Sequence, residues 1–239
     1  MVKHFPNVLT LLNLFCGALA VVSVLFLHVE EALILQAISL VADFFDGLLA
    51  RKLGVAGPLG VQLDSLADVV SFGMFPGAVV YMLLVQSWNI DPGMSNLEDR
   101  LLLYPAFLLP VFGALRLARF NISTDQGDKF IGLPIPAMSL FFAGLLLIQL
   151  NGDIPMIEFI EKKWFLYGSI LLFAYLMNSH WVHFKIKPDK KTFSNPFILL
   201  LVGAIIGLII FYPFLAPTLG IVLYSAFSIP PGIVHTSIL

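Results

Sequence analysis

Four aspartates carry the chemical potential of this chain. Asp43, Asp46, Asp64 and Asp68 fall within the 26-residue stretch DFFDGLLARKLGVAGPLGVQLDSLAD, embedded in runs that are otherwise apolar. An ionised side chain at mid-bilayer costs about 2.5–3.5 kcal/mol on insertion scales, so four left alone cost on the order of 10 kcal/mol. Arg51 and Lys52, the two basic residues of the stretch, offset only part of this. Hard oxygen ligands suit Mg²⁺, Mn²⁺ or Ca²⁺, which makes divalent cations the natural partners. Four carboxylates can hold two such ions, a clamp suited to phosphoryl chemistry.

The spacing places the acids on shared helix faces. Asp43, Asp46, Gly47 and Ala50 follow i, i+3, i+4, i+7, and Gly60, Asp64 and Asp68 follow i, i+4, i+8. Small residues beside the acids leave room for a ligand or for close helix approach. The Gly/Pro-containing turn from Gly54 to Gly60 predicts two antiparallel neighbouring helices, with all four carboxylates at similar depth. The plainer alternative is that the acids pair with lysine or arginine merely to join helices. It suits one intramembrane aspartate better than four on two matching stripes.

The elements that must hold these residues follow from composition. Of 239 residues, 59% are hydrophobic and only 12% charged, and mean hydropathy is +0.95. A typical soluble domain carries about 25% charged residues. So few charges cannot cover a globular surface in water, which disfavours a soluble enzyme, a disordered regulator or a nucleic-acid binder. The net charge of −2 suggests no polyanionic partner, and the single cysteine, Cys16, excludes an intrachain disulfide. The reading is an all-α, polytopic integral membrane protein with about eight transmembrane helices, at 7–28, 32–52, 61–88, 101–119, 133–150, 164–182, 195–212 and 214–229. The first run, Val8 to Leu27, is too long for a signal-peptide core and reads as a retained span. Pro213 and Pro217 interrupt the last region, so a re-entrant hairpin is an alternative there.

Loop charges set the orientation. With the N-terminus in the cytoplasm, that side receives Lys3, Arg51, Lys52, Arg116, Arg119, Lys129, Lys185, Lys187, Lys190 and Lys191. The other side receives only Arg100, Lys162 and Lys163. The expected location is the cytoplasmic membrane, with the N-terminus and the acidic site facing the cytoplasm.

Written as a pattern, the acidic stretch is D-x2-D-G-x2-A-R-x8-G-x3-D-x3-D, with Asp43, Asp46, Gly47, Ala50, Arg51, Gly60, Asp64 and Asp68 at its fixed positions. This resembles the signature of the CDP-alcohol phosphotransferase family, whose members displace CMP from a CDP-linked lipid or alcohol with a second alcohol. The resemblance implies a six-helix membrane core open to the cytoplasm, here residues 1–185, with 186–239 as additional C-terminal spans. It implies two divalent cations, Mg²⁺ or Mn²⁺, with Asp43, Asp46 and Asp64 as ligands and Asp68 as both ligand and base. Gly47, Ala50 and Gly60 would admit the CDP moiety, Arg51 would hold the phosphates, and the protein would be a homodimer.

Further stretches narrow the acceptor. Pro6-Asn7-x-x-Thr10, Ser71-Phe72-Gly73 with Pro76, Arg116 to Asn121 and Gly132 to Ala137 together resemble the phosphatidylserine synthase branch. That implies CDP-diacylglycerol and L-serine as substrates within membrane lipid, and phosphatidylserine and CMP as products. Asn7, Thr10 and Ser71 join the expected CDP-diacylglycerol site, and Arg116, Arg119 and Asn121 the serine site. A serine carboxylate needs a fork-shaped cation, which Arg116 or Arg119 supplies. Plainer readings stand beside these: Asn7 as a helix cap, Ser71 to Gly73 as packing, and Arg116 and Arg119 as positive-inside anchors. Rival functions are a sister enzyme using glycerol phosphate, inositol phosphate or choline, an intramembrane prenyltransferase, and a divalent-cation transporter.

Overall fold

The computed structural model describes residues 5–91, 93, 96–122, 130–151, 155, 157–180, 182–183 and 196–227. Helix α1 (Phe5–Leu25) and α2 (Val29–Lys52) form an antiparallel pair. The long helix α3 (Pro58–Trp88) is α-helical to Asp68, widens to a π turn over Val69–Met74, and resumes as α-helix from Phe75. Helix α4 (Leu97–Ile122) contains a tighter 3₁₀ turn at Tyr104–Phe107, where Pro105 stands. Then come strand β1 (Phe130–Ile131), α5 (Ile135–Asn151), the single turn α6 (Ile157–Ile160), α7 (Lys163–Asn178), strand β2 (Val182–His183), α8 (Pro196–Phe211) and α9 (Ala216–Ala226). The strands make a minimal antiparallel ladder, Phe130 opposite His183 and Ile131 opposite Val182.

Each of the eight expected apolar runs is helical over most of its described residues, though the run at 164–182 leaves the helix after Asn178. By length and composition, α1 to α4 are able to cross a membrane, with 21, 24, 31 and 26 residues. The others are shorter, at 17, 16, 16 and 11 residues for α5, α7, α8 and α9. At 1.5 Å per residue, 16 residues reach about 24 Å, short of a hydrocarbon core of about 30 Å. The expected boundary at 185/186 falls outside the described residues, as do Lys3, Lys129, Lys185, Lys187, Lys190 and Lys191.

The helix ends are locally encoded. Three helices stop in one motif, in which a left-handed residue turns the chain and the next amide bonds back five residues. Leu27, Gly54 and Asn89 take the positive φ, and His28, Val55 and Ile90 donate to Ser23, Ala50 and Val85. Gly54 carries no Cβ to oppose that conformation, and it ends α2 at the turn into α3. Glu30 and Glu31 in the first turn of α2, and Arg51 and Lys52 in its last, complement the helix dipole. Pro58 sits where a helix tolerates it, at the start of α3. Asn96 and Asp99 cap each other's backbone at the start of α4.

The packing is centred on α3. Every residue from Phe75 to Leu84 except Tyr81 is buried, and Phe72, Phe75, Leu83 and Leu84 are sealed against Leu103, Leu109, Phe142 and Leu145. Large apolar side chains such as Phe15, Phe26, Ile34, Val41 and Phe44 face outward, while Thr10, Asn13, Gln36, Ser39, Ser71 and Ser139 are buried. That inside-out polarity suits a hydrocarbon solvent, where polar groups must find partners within the bundle.

The expected close neighbours α2 and α3 scarcely touch. Both pack against α1, which also contacts the π turn. The reason is local. Gly17 of α1 presses on Ser71 so closely that a Cβ at position 17 would overlap the serine. This draws α3 onto α1 and leaves the turn-proximal halves of α2 and α3 splayed.

Candidate active site

The splay opens a cleft between α1, α2 and α3. Helix α1 lines it with Pro6, Asn7 and Thr10; α2 with Asp46, Gly47, Ala50 and Arg51; and α3 with Gly60, Val61 and Asp64. Eight residues singled out by sequence, Asn7, Thr10, Asp46, Gly47, Ala50, Arg51, Gly60 and Asp64, therefore share one wall system.

The small residues are explained by what crosses them. The Arg51 guanidinium folds back over Gly47, with Nη1 3.2 Å from the place a Cβ would occupy. Asn7 Oδ1 reaches to 3.5 Å of the corresponding point on Gly60. A Cβ at Gly47 would crowd the guanidinium, while one at Gly60 would make ordinary contact with Asn7. Arg51 lies within electrostatic reach of both Asp46 and Asp64, so the cleft combines a cation with acids on two helices.

Behind the cleft the acids converge. Asp43, Asp64 and Asp68 bring one carboxylate oxygen each within 4.8 Å of one another. Asp46 stands outside that set of three: its Oδ2 accepts a 2.6 Å hydrogen bond from Thr10 Oγ1. Asp68 is buried, and its Oδ1 has no hydrogen-bond partner. Convergent carboxylates in a low-dielectric site repel strongly, and an orphaned buried carboxylate oxygen is costly. Hard oxygen donors with a free lone pair fit a divalent cation such as Mg²⁺ or Mn²⁺.

A polar network supports this cluster from the bundle interior. Asn13 Nδ2 donates to Asp43 Oδ1 at 3.4 Å, and Ser39 Oγ donates to Asn13 Oδ1. Ser71 Oγ donates to the Asn13 carbonyl at 3.1 Å. Gln36 Nε2 contacts the Ser71 carbonyl and Ser139 Oγ, both at 3.0 Å, tying the π turn to α2 and α5. Sequence reasoning missed Asn13, Gln36 and Ser39. The available signal was a polar side chain inside an apolar span, where burial demands a partner. It also placed Ser71 in the lipid-nucleotide site. The structure puts Ser71 instead against Gly17, fully buried and away from the cleft, with its hydroxyl committed to Asn13.

The three residues expected to bind serine separate. Arg116 turns inward, within electrostatic reach of Asp68, and its buried Nε has no partner. Arg119 is exposed and meets Asn178 Oδ1 at 3.5 Å. Asn121 Nδ2 donates to Ser65 Oγ on α3 at 2.9 Å. The site thus has two lobes: Asp64 opens on the cleft, and Asp68, one turn deeper, faces Arg116.

Residues 3–177 match the family model described as CDP-alcohol phosphatidyltransferase. The chain is similar to proteins named CDP-diacylglycerol–serine O-phosphatidyltransferase in three organisms. With that of Helicobacter pylori (strain J99) it is 32% identical over 227 residues, covering 94% of this chain and 89% of that protein. With that of Bacillus subtilis it is 34% identical over 149 residues, covering 62% and 76%. With that of Methanocaldococcus jannaschii it is 40% identical over 135 residues, covering 56% of each.

Proposed function

The chain belongs to the CDP-alcohol phosphatidyltransferase family, and from that premise we propose that it transfers the phosphatidyl group of CDP-diacylglycerol to the hydroxyl of L-serine, giving phosphatidylserine and CMP. The observation that carries this reading is the two-lobed site. A cleft lined by an arginine meets convergent carboxylates, and a second, largely buried arginine lies within electrostatic reach of Asp68. Similarity to serine-specific relatives over nearly the whole chain supports serine as the acceptor.

Asp43, Asp64 and Asp68, with Asp46 beside them, would hold two divalent ions, Mg²⁺ or Mn²⁺. When bound, these neutralise charge on the transferring phosphoryl group and on departing CMP. The protein's own groups do the rest. Asn7, Gly47, Ala50 and Gly60 receive the CDP moiety, and Arg51 steadies its phosphates. Thr10 fixes the Asp46 rotamer. Asp68 accepts the serine hydroxyl proton as the serine oxygen bonds to the phosphatidyl phosphorus and the bond to CMP breaks. Much of its value lies in position. Arg116 offers the serine carboxylate a charge-assisted contact. Arg119 and Asn121, on the same helix as Arg116, would act on serine entry.

The reading extends to the assembly. Residues 1–185 form the catalytic core and 186–239 additional membrane-associated spans. The protein is integral to the cytoplasmic membrane, with its N-terminus and site toward the cytoplasm, and works as a homodimer. The ten-to-three bias of basic residues in the sequence supports the orientation.

The test is CMP release from CDP-diacylglycerol by purified protein in detergent, with and without L-serine and with EDTA. Serine-dependent, chelator-sensitive release is the expected result. Release only with another alcohol would keep the family chemistry and replace the acceptor. No release with any alcohol, from folded protein that conducts divalent cations in liposomes, would overturn the enzyme reading.

A further inference from the structure

Helices α1 and α2 run antiparallel, and their polar residues pair in reverse order. Thr10 Oγ1 donates to Asp46 Oδ2, and Asn13 Nδ2 donates to Asp43 Oδ1 at 3.4 Å. Thr10 and Asn13 stand at i, i+3 on α1, as Asp43 and Asp46 do on α2, so one face of α1 serves both acids. Asn13 is fully buried, and both of its oxygens accept hydrogen bonds. Ser39 Oγ donates to Oδ1, and Ser71 Oγ donates to the main-chain carbonyl at 3.1 Å. Ser71 comes that close because Gly17, one helical turn further along α1, puts no side chain in its path.

These bonds decide which way the Asn13 amide points. A serine hydroxyl has one proton to give. With the Asn13 carbonyl served by Ser71, the Ser39 proton goes to Oδ1, and the amide turns Nδ2 toward Asp43. The reversed amide would set Oδ1 against the carboxylate, acceptor facing acceptor. We propose that Asn13, locked by Ser39, is a positioning residue for the metal-binding acids. Its amide holds Asp43 on α2, while its carbonyl holds Ser71, one turn past Asp68 on α3. The proposal rests on the metal reading above.

The residue types suit that task. A neutral amide orients a carboxylate without cancelling its charge, so Asp43 keeps its full attraction for a cation. Lysine or arginine at position 13 would compete with the metal instead. The contact to Asp43 is long for an N–H···O bond, which makes the Ser39 anchor the part that keeps the amide facing the acid. Hydrogen bonds of this kind fix the rotamers of ligating carboxylates, and losing one costs about 10–100-fold in metal affinity.

The experiment measures Mn²⁺ binding to the substrate-free full chain in detergent, from the electron paramagnetic resonance signal of free Mn²⁺, with Tm and CMP release beside it. It compares the unaltered protein with Asn13→Ala, Ser39→Ala and Ser139→Ala. Ser139 is the control: it is buried in the same network, but its side chain meets Gln36 rather than Asn13. Asn13→Ala is expected to raise the Mn²⁺ Kd about tenfold and Ser39→Ala several-fold. Ser139→Ala should leave Kd unmoved, whatever its effect on Tm. At saturating Mn²⁺ the Asn13 and Ser39 variants should recover most of their kcat, because neither residue touches the reacting atoms. An unchanged Kd in Ser39→Ala overturns the proposal, whether or not Asn13→Ala folds. So does an equal rise in Ser139→Ala, or a kcat that stays low at saturating Mn²⁺, either of which marks a general loosening of the bundle. No Mn²⁺ binding by the folded, unaltered protein would remove the metal reading, and this proposal with it.

Discussion

Thr10 Oγ1 donates a 2.6 Å hydrogen bond to Asp46 Oδ2 across the interface between α1 and α2. The same hydroxyl reaches the Pro6 carbonyl at 3.2 Å, so one threonine connects the start of α1 to the acidic face of α2. Asp46 is thereby aimed at the cleft rather than into the set formed by Asp43, Asp64 and Asp68.

Thr10→Val keeps the shape and removes the donor. Leaving a buried acceptor without its partner costs about 1–3 kcal/mol. The concentration of Mn²⁺ needed for half-maximal activity should rise several-fold, and Thr10→Ser should restore it. Metal titration of CMP release checks this, and an unchanged titration curve in Thr10→Val would refute the role given to Thr10.

Asp68→Asn should lower kcat by about 10²-fold or more, the usual contribution of a positioned proton acceptor. The substitution removes one of several crowded negative charges, so thermal stability in detergent should not fall. Rate loss combined with an unaltered or raised Tm is the expected pair. Near-normal turnover would remove Asp68 from the proton transfer.

Added Mg²⁺ or Mn²⁺ should raise the Tm of the substrate-free protein, because binding to the folded state alone stabilises by about 2.7 kcal/mol at a hundredfold excess over Kd. EDTA should reverse the rise, and Asp43→Asn should abolish most of it. A Tm indifferent to both ions and chelator would argue against a metal at the three convergent acids.

Gly17→Ala should destabilise the bundle by about 1–3 kcal/mol, the range for overpacking a tight interface. The added methyl meets Ser71, one turn beyond Asp68 on α3, and the serine has no open direction to retreat into. Thermal unfolding of the variant should show a drop of several degrees, while Gly168→Ala, where a Cβ meets nothing within 4 Å, should show almost none.

Arg116→Lys should raise the serine KM more than Arg119→Lys does, with both leaving the CDP-diacylglycerol KM within about twofold. Lysine keeps the charge and loses the planar fork. The distinction comes from Arg116 being turned toward Asp68 while Arg119 stands exposed against Asn178. Equal effects would mean that acceptor binding occurs at the surface.

The legible parts of the sequence were the local ones. The acidic pattern spans one turn-linked segment, so its eight fixed positions carry their own geometry. Nearly all of them meet at or beside one cleft. Helix ends were legible where Gly54, Pro58 and Asn96 mark them. Long-range pairings were not legible. Gln36 finds Ser139 across 103 positions and Asn121 finds Ser65 across 56, and no periodicity encodes either. Spacing put Arg116 and Arg119 on one helix face, but the packing of α3 and α7 around α4 decides which of the two is enclosed. The splay of α2 from α3 was hidden for the same reason, since it depends on Gly17 meeting Ser71.

The π turn at Val69–Met74 works as a phase shifter in α3. Each residue advances a regular helix by about 100°, and a π turn holds one residue more than the α-helix around it. The N-terminal half of α3, with Asp64 and Asp68, is therefore set in rotation independently of the sealed half from Phe75 onward. A one-residue deletion within 69–74 would restore a regular helix and force one half to swing. Either the acids would leave their cluster or the Phe75 face would leave the core. The length of this short stretch is thus under tighter constraint than the identity of most residues in it.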